Sequence, residues 1–343
     1  MSNDLAPPHA APQHERGPRP LPLFLQLVRL AGESDPALAA KALQGLGTYQ
    51  RAVLHAAQQE RSKIVEIGGA SLRDCGGSGP PIVLVPSLIN PPHVLDLDRE
   101  TSLADALTGS GRVLLLDWGL ASQRHDLSVT GHIRERLVPL LESLGEPPTL
   151  VGYCLGGTMA LAAASSVRAR GVVTLASPWH FSAYPQAARD SLAQIWKDSR
   201  PAAERLGALP IEVLQAAFWA LDPHRVVSKY ARLAGLDPQG DEFRRFVLLE
   251  DWANGGEPLP LPAARELLED LFARDLPGRV RWTSPPDCPL LHFTASADRI
   301  VPAGTAAEGE AIACPSGHVG MIVGRGARQH LHQPLRDWLA RLP

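Results

Sequence analysis

The 343 residues include only four cysteines, Cys75, Cys154, Cys288 and Cys314, and no two of them stand at the C-x-x-C spacing of a structural metal site. No metal is therefore expected. A chain of this length buries enough surface to fold without disulfides, so the scarcity of cysteine points to a reducing compartment, and a cytoplasmic location is expected. Neither sign of charge dominates, the formal net charge being -3. That balance gives no general attraction to nucleic acid or to an anionic membrane, and neither is expected as a partner. No window approaches the roughly 20 apolar residues of a membrane span, and the N-terminus lacks a basic stretch followed by an apolar signal core. Internal repeats are absent. What is present, 45% hydrophobic and 20% charged residues, suits a globular enzyme.

Residues Met1 to Pro22 are rich in Pro, Ala and His and offer little to pack, so 1–35 is expected to be a flexible tail. From Pro36 to Lys63 the spacing of Leu, Ala and Val predicts helices leading onto a sheet, broken near Gly45 to Gly47. Apolar runs at 81–86, 112–117, 149–153 and 171–176 then alternate with helical stretches. Runs of this kind suit strands buried on both faces, and the intervening helices make right-handed parallel crossovers. The expected architecture is a mostly parallel, doubly wound α/β sheet, its first part spanning 36–176. Residues 177–285 turn helical and aromatic, which predicts a helical cap inserted into the sheet. Strand character resumes at 289–294, so 286–343 is expected to complete the core.

The segment Leu150-Val151-Gly152-Tyr153-Cys154-Leu155-Gly156-Gly157 is an apolar strand that enters a Gly-x-Cys-x-Gly turn ahead of a helix. This is the pattern of a nucleophile elbow carrying a thiol in place of the usual hydroxyl. Glycine is needed on either side because a strand reversing sharply into a helix leaves no room for a Cβ. Amides at the start of the following helix point to the same spot and favour a thiolate or an oxyanion.

Downstream, Asp298 stands just past the strand at 289–294, where ligands and catalytic loops gather in such sheets. His318 lies between Gly317 and Val319-Gly320 on a loop. The chain order nucleophile, acid, histidine is that of α/β-hydrolases. In this reading His318 takes the Cys154 proton and Asp298 fixes the imidazole tautomer. The backbone amide of Leu155, with that of Ser87 or Leu88 in the loop after the first strand, forms the oxyanion hole. A bland reading stands beside each: Asp298 as a helix cap, His318 as a loop histidine. The other three cysteines are expected to be inert. Trp118 and Asp117 are expected to pack and to anchor a loop. Tyr153, Asn90, Trp179 and His180 are candidates to line a substrate channel.

At these residues the chain resembles the poly(3-hydroxyalkanoate) synthase family, bacterial polyester polymerases of the α/β-hydrolase superfamily. Gly152-Tyr153-Cys154-Leu155-Gly156-Gly157-Thr158 matches that family's cysteine-bearing lipase-like box. Val85-Pro86, Ile89-Asn90, Asp117-Trp118-Gly119, Ala297-Asp298-Arg299-Ile300-Val301-Pro302 and Ser316-Gly317-His318-Val319-Gly320 agree as well. The resemblance implies that nucleophile, acid and base are Cys154, Asp298 and His318. It also implies a coenzyme A thioester as substrate with no further cofactor, and a homodimer or a separate synthase subunit as partner.

Sulfur suits that chemistry. A thiolate is expelled more easily than an alkoxide, so cysteine is poorly matched to simple ester hydrolysis. Exchange with a thioester is nearly balanced and leaves the acyl group activated. The expected activity is acyl transfer of 3-hydroxyacyl groups to a hydroxyl. The alternatives are a thioesterase, esterase or polyester depolymerase on the same frame, or a catalytically silent homologue that binds polyester granules or protein.

Overall fold

A computed structural model describes residues 16–53, 61–275 and 286–343. The chain divides into two compact units, one of 1–56 with 222–254, the other of 57–221 with 255–343.

The larger unit is built on an eight-stranded sheet. Its strands are β1 (Ser62–Ile67), β2 (Ala70–Gly76), β3 (Pro81–Val85), β4 (Arg112–Asp117), β5 (Thr149–Tyr153), β6 (Gly171–Leu175), and, beyond the two-residue pieces β7 (Ala208–Leu209) and β8 (Leu259–Pro260), β9 (Leu290–Ala295) and β10 (Glu310–Cys314). The order is β1-β2-β4-β3-β5-β6-β9-β10. From β4 to β10 all neighbours are parallel, whereas β1 and β2 are antiparallel to each other and β2 is antiparallel to β4. The central strands β3, β5 and β6 are buried at every position, as their unbroken Val and Leu runs require. The expected α/β-hydrolase architecture is the one found. Sequence reasoning missed the β1–β2 hairpin, although Gly68 and Gly69, both at positive φ, supply the kind of tight turn that joins such strands.

Helical segments between β6 and β9 share the core of this unit. Phe181, Tyr184, Trp196, Leu214, Ala263 and Leu267 cluster with Val83, Leu150 and Val172 of the strands. Among the described residues no helix is long and apolar enough to cross a membrane.

The smaller unit corrects two expectations. Leu21–Ser34, expected as part of a flexible tail, is a helix that buries Phe24 and Val28. Its apolar face was hidden by the prolines that precede it. Of that tail, 1–15 lie outside the described residues. Helices Pro223–Leu233 and Asp241–Asn254, expected within one cap, form their compact unit with Leu21–Ser34 and Pro36–Gln50 instead. Aromatic rings join them: Tyr230 meets Phe24, Tyr49 and Phe246 at centroid distances of 4.6, 6.0 and 5.5 Å. Polar groups inside are paired, as burial demands. Glu250 accepts from Tyr230 at 2.8 Å and Lys229 at 2.6 Å, and Asp251 accepts from Tyr49 at 2.9 Å. Residues 276–285, the end of the expected cap, lie outside the described residues.

Three histidines of the larger unit, His93, His132 and His332, are each pushed down to about 4, chiefly by burial. An unfolded chain takes up protons at its histidines from about pH 6.5, while these folded sites refuse them. The stability these three histidines contribute is therefore complete above that pH and is lost as acid approaches about 4. Urea midpoints measured across this window will decline; a flat profile contradicts the assignment.

Candidate active site

β5 ends in the elbow. Cys154 adopts φ 55° and ψ −130°, a conformation that costs a non-glycine residue about 1–3 kcal/mol and concentrates at functional sites. The Cys154 amide donates to Leu175 O at 2.9 Å, extending the sheet ladder, and its carbonyl accepts from Gly157 N at 3.0 Å. Close approach explains the flanking glycines. A Cβ on Gly152 would lie 2.3 Å from Gly157 Cα, and one on Gly156 would lie 2.1 Å from Val85 O. The helix Leu155–Ala164 begins immediately after the cysteine, so its first amides face the thiol side.

The contact of Gly156 with Val85 and Pro86 also brings the loop after β3 against this helix start. Trp118 Nε1 donates to Pro86 O at 3.0 Å, and Asp117 accepts from Gly119 N at 3.0 Å and pairs with Arg73 at 2.8 Å. The packing and anchoring expected of Trp118 and Asp117 are what the structure has. The amides of Ser87, Leu88 and Leu155 have no acceptor among the described residues.

Asp298 and His318 come from the turns that follow β9 and β10. These parallel strands stay in register beyond their ends, Ser296 N donating to Cys314 O and Ala297 N to Ser316 O, both at 2.9 Å. That ladder brings the two side chains together. His318 Nδ1 lies 2.7 Å from Asp298 Oδ2, and Asp298 Oδ1 accepts from the amides of Ile300 and Val301 at 2.7 and 2.9 Å. Asp298 thus caps its turn with one oxygen and holds histidine with the other.

The imidazole also shares a side-chain hydrogen bond with Cys154. Burial disfavours its charged form, but the charge of Cys154, the hydrogen bonds with Asp298 and Cys154 and the charge of Asp298 outweigh burial and raise His318 to about 10. Cys75 and Cys314 are buried, which pushes them up to about 12 and about 11. Cys288 is half-buried and also raised, by burial first and Asp287 second. Neutral thiols are poor nucleophiles and poor ligands, and among the described residues no cluster of His, Cys, Asp or Glu is able to hold a metal.

The channel candidates fare unevenly. Tyr153 lines no channel; it is 3% exposed, its ring lies 5.0 Å from that of His318 and its hydroxyl donates to His318 O at 3.4 Å. It supports the histidine from below. His180 is engaged elsewhere, its Nε2 lying 3.1 Å from Glu308 Oε1. Trp179 and His180 both donate their amides to Thr305 O, fixing the loop after β6. Asn90 is half-buried just beyond Leu88 and Ile89. Sequence reasoning did not find the support given by Tyr153, because strand alternation alone does not say which ring meets a loop arriving 165 residues later.

A family described as the alpha/beta hydrolase family matches residues 82–339. Curated relatives include the poly(3-hydroxyalkanoate) polymerase subunit PhaC of Allochromatium vinosum, 26% identical over 76% of this chain and 80% of that one. The subunit of the same name from Thiocystis violacea is 24% identical with the same coverage. Among solved structures, an epoxide hydrolase from Bacillus megaterium superposes with a TM-score of 0.55 at 13% identity, over 81% of this chain and 99% of that one. At that identity the likeness speaks for the fold.

Proposed function

Since the chain belongs to the alpha/beta hydrolase family, we propose that it is a polyhydroxyalkanoate synthase-like acyltransferase in which Cys154, His318 and Asp298 move a 3-hydroxyacyl group from coenzyme A to a hydroxyl. One observation carries this reading: the residue on the strained elbow is a cysteine hydrogen-bonded to an imidazole that Asp298 holds. The similarity to polymerase subunits supports it.

In the proposed reaction Sγ of Cys154 attacks the thioester carbonyl carbon. The oxyanion that forms is held by the amides of Leu155 and of Ser87 or Leu88. Collapse breaks the bond to the coenzyme A sulfur, which leaves with the proton from His318. The neutral imidazole then removes a proton from an attacking hydroxyl, whose oxygen displaces Cys154 from the acyl group. Sulfur gives the first exchange near-balance and the second a good leaving group. The route uses no cofactor beyond the coenzyme A thioester that is its substrate. The word subunit in the relatives' names extends the proposal to a partner chain or second copy, and a polyester product to a granule surface.

The test is incubation of purified protein with 3-hydroxybutyryl-coenzyme A, following thiol release together with the acyl product. Ester-linked oligomers are the expected result. Free 3-hydroxybutyric acid would turn the reading to a thioesterase, in which water replaces the alcohol. Absence of thiol release would overturn both.

A further inference from the structure

Trp118 follows β4 directly and is 4% exposed. A buried indole needs an acceptor for its N–H, and the one it has is the carbonyl of Pro86, at 3.0 Å. Proline at 86 has no amide to tie into the sheet, and no backbone amide among the described residues donates to its carbonyl. The indole therefore supplies the hydrogen bond that fixes the Pro86–Ser87 peptide. That peptide also lies against the elbow, since a Cβ on Gly156 would come within 2.6 Å of Pro86 O and 2.7 Å of Pro86 C. Across a planar trans peptide the N–H of Ser87 points opposite to the Pro86 carbonyl. β3 stands between β4 and β5 in the sheet. With the carbonyl drawn to Trp118 at the end of β4, the Ser87 amide is turned to the side of β5, where Cys154 stands on the elbow. Ser87 Oγ is already engaged, accepting from Ile89 N at 3.3 Å. The indole is itself held: the ring of His132 meets it edge to face at 5.7 Å, and His132 Nδ1 lies 2.7 Å from Ser128 O.

We propose that Trp118 is a positioning residue for the reaction: its indole N–H fixes the Pro86 carbonyl and thereby aims the Ser87 amide at the oxygen that becomes negative when Cys154 attacks a carbonyl. This rests on the acyl transfer proposed above. An oxyanion donor works by being held in place before charge develops, so the group that fixes its direction contributes to the rate without touching the substrate. The same arrangement chooses Ser87 over Leu88 as the partner of Leu155.

The cleanest test replaces Trp118 alone with 3-benzothienylalanine, in which sulfur takes the place of the ring N–H and the shape is kept. Trp118→Phe is a second variant that deletes the same donor with natural residues. Two rates are compared with the parent: thiol release from 3-hydroxybutyryl-coenzyme A, and alkylation of Cys154 by iodoacetamide, read on its peptide by mass. Alkylation displaces iodide from a saturated carbon and forms no oxyanion, so it reports the thiol and the elbow but not the amide. The expected result in both variants is a fall in kcat of about tenfold or more, short of the roughly 10² to 10³ that follows outright loss of an oxyanion donor, with KM and the alkylation rate unchanged. An unchanged kcat, or alkylation that falls along with it, would overturn the positioning role and leave the acyltransferase reading intact. A parent that releases no thiol would overturn both.

Discussion

Replacing Cys154 with alanine will lower thiol release from 3-hydroxybutyryl-coenzyme A by about four orders of magnitude or more, the loss that follows removal of a nucleophile from a cooperating set. The thermal midpoint will change little. Alanine keeps the Cβ and therefore the strain of the positive φ, and the elbow's other contacts, Cys154 N to Leu175 O and Gly157 N to Cys154 O, involve only backbone. His318 loses its hydrogen-bonding partner but keeps Asp298 at 2.7 Å. Serine at the same position separates attack from leaving-group ability. Its oxygen needs full deprotonation in the attack and is expelled reluctantly afterwards, so acyl transfer will slow even though the hydroxyl still reaches the imidazole. If Cys154→Ala releases thiol as fast as the parent, the elbow is not the reacting centre.

Asp298→Asn will lower the same rate by about 10³ to 10⁴. The mechanism of the loss is geometric. Asp298 Oδ1 accepts from the amides of Ile300 and Val301, so an asparagine there must present its oxygen to those amides and its NH₂ to His318 Nδ1. An imidazole accepting at Nδ1 carries its proton on Nε2 and has no lone pair to take the next one. The pH dependence moves too. His318 is raised to about 10, so its proton is held below that pH and lost as pH rises through it. Asp298 contributes a hydrogen bond and a charge to that rise, and without them the alkaline limb of the rate profile will begin at lower pH. A variant with unchanged rate and unchanged alkaline limb contradicts the role given to Asp298.

The parts legible in the sequence share a physical cause. Strands β3, β5 and β6 are buried on both faces and so must be continuously apolar. Gly152 and Gly156 must lack a Cβ, and the order Cys154, Asp298, His318 follows from where strand ends lie in an α/β sheet. β1 was missed because it is an edge strand, largely exposed, with no apolar run to mark it. The helix Leu21–Ser34 was missed because a proline-rich lead-in masked a periodic face whose burial depends on partners about 200 residues away. Tyr153 shows the same limit at the site. Its ring's meaning comes from what the fold sets beside it, the ring and carbonyl of His318. Local patterning locates a nucleophile; only long-range pairing shows what supports it.

The most direct test is mass analysis of the peptide containing Cys154 after brief exposure of the protein to 3-hydroxybutyryl-coenzyme A and acid quenching. The prediction is a 3-hydroxybutyryl adduct on Cys154, removed by hydroxylamine as a thioester is. An unmodified Cys154 peptide from protein that is releasing thiol, with the acyl group on another residue or none trapped in an accumulating state in Asp298→Asn either, would contradict it.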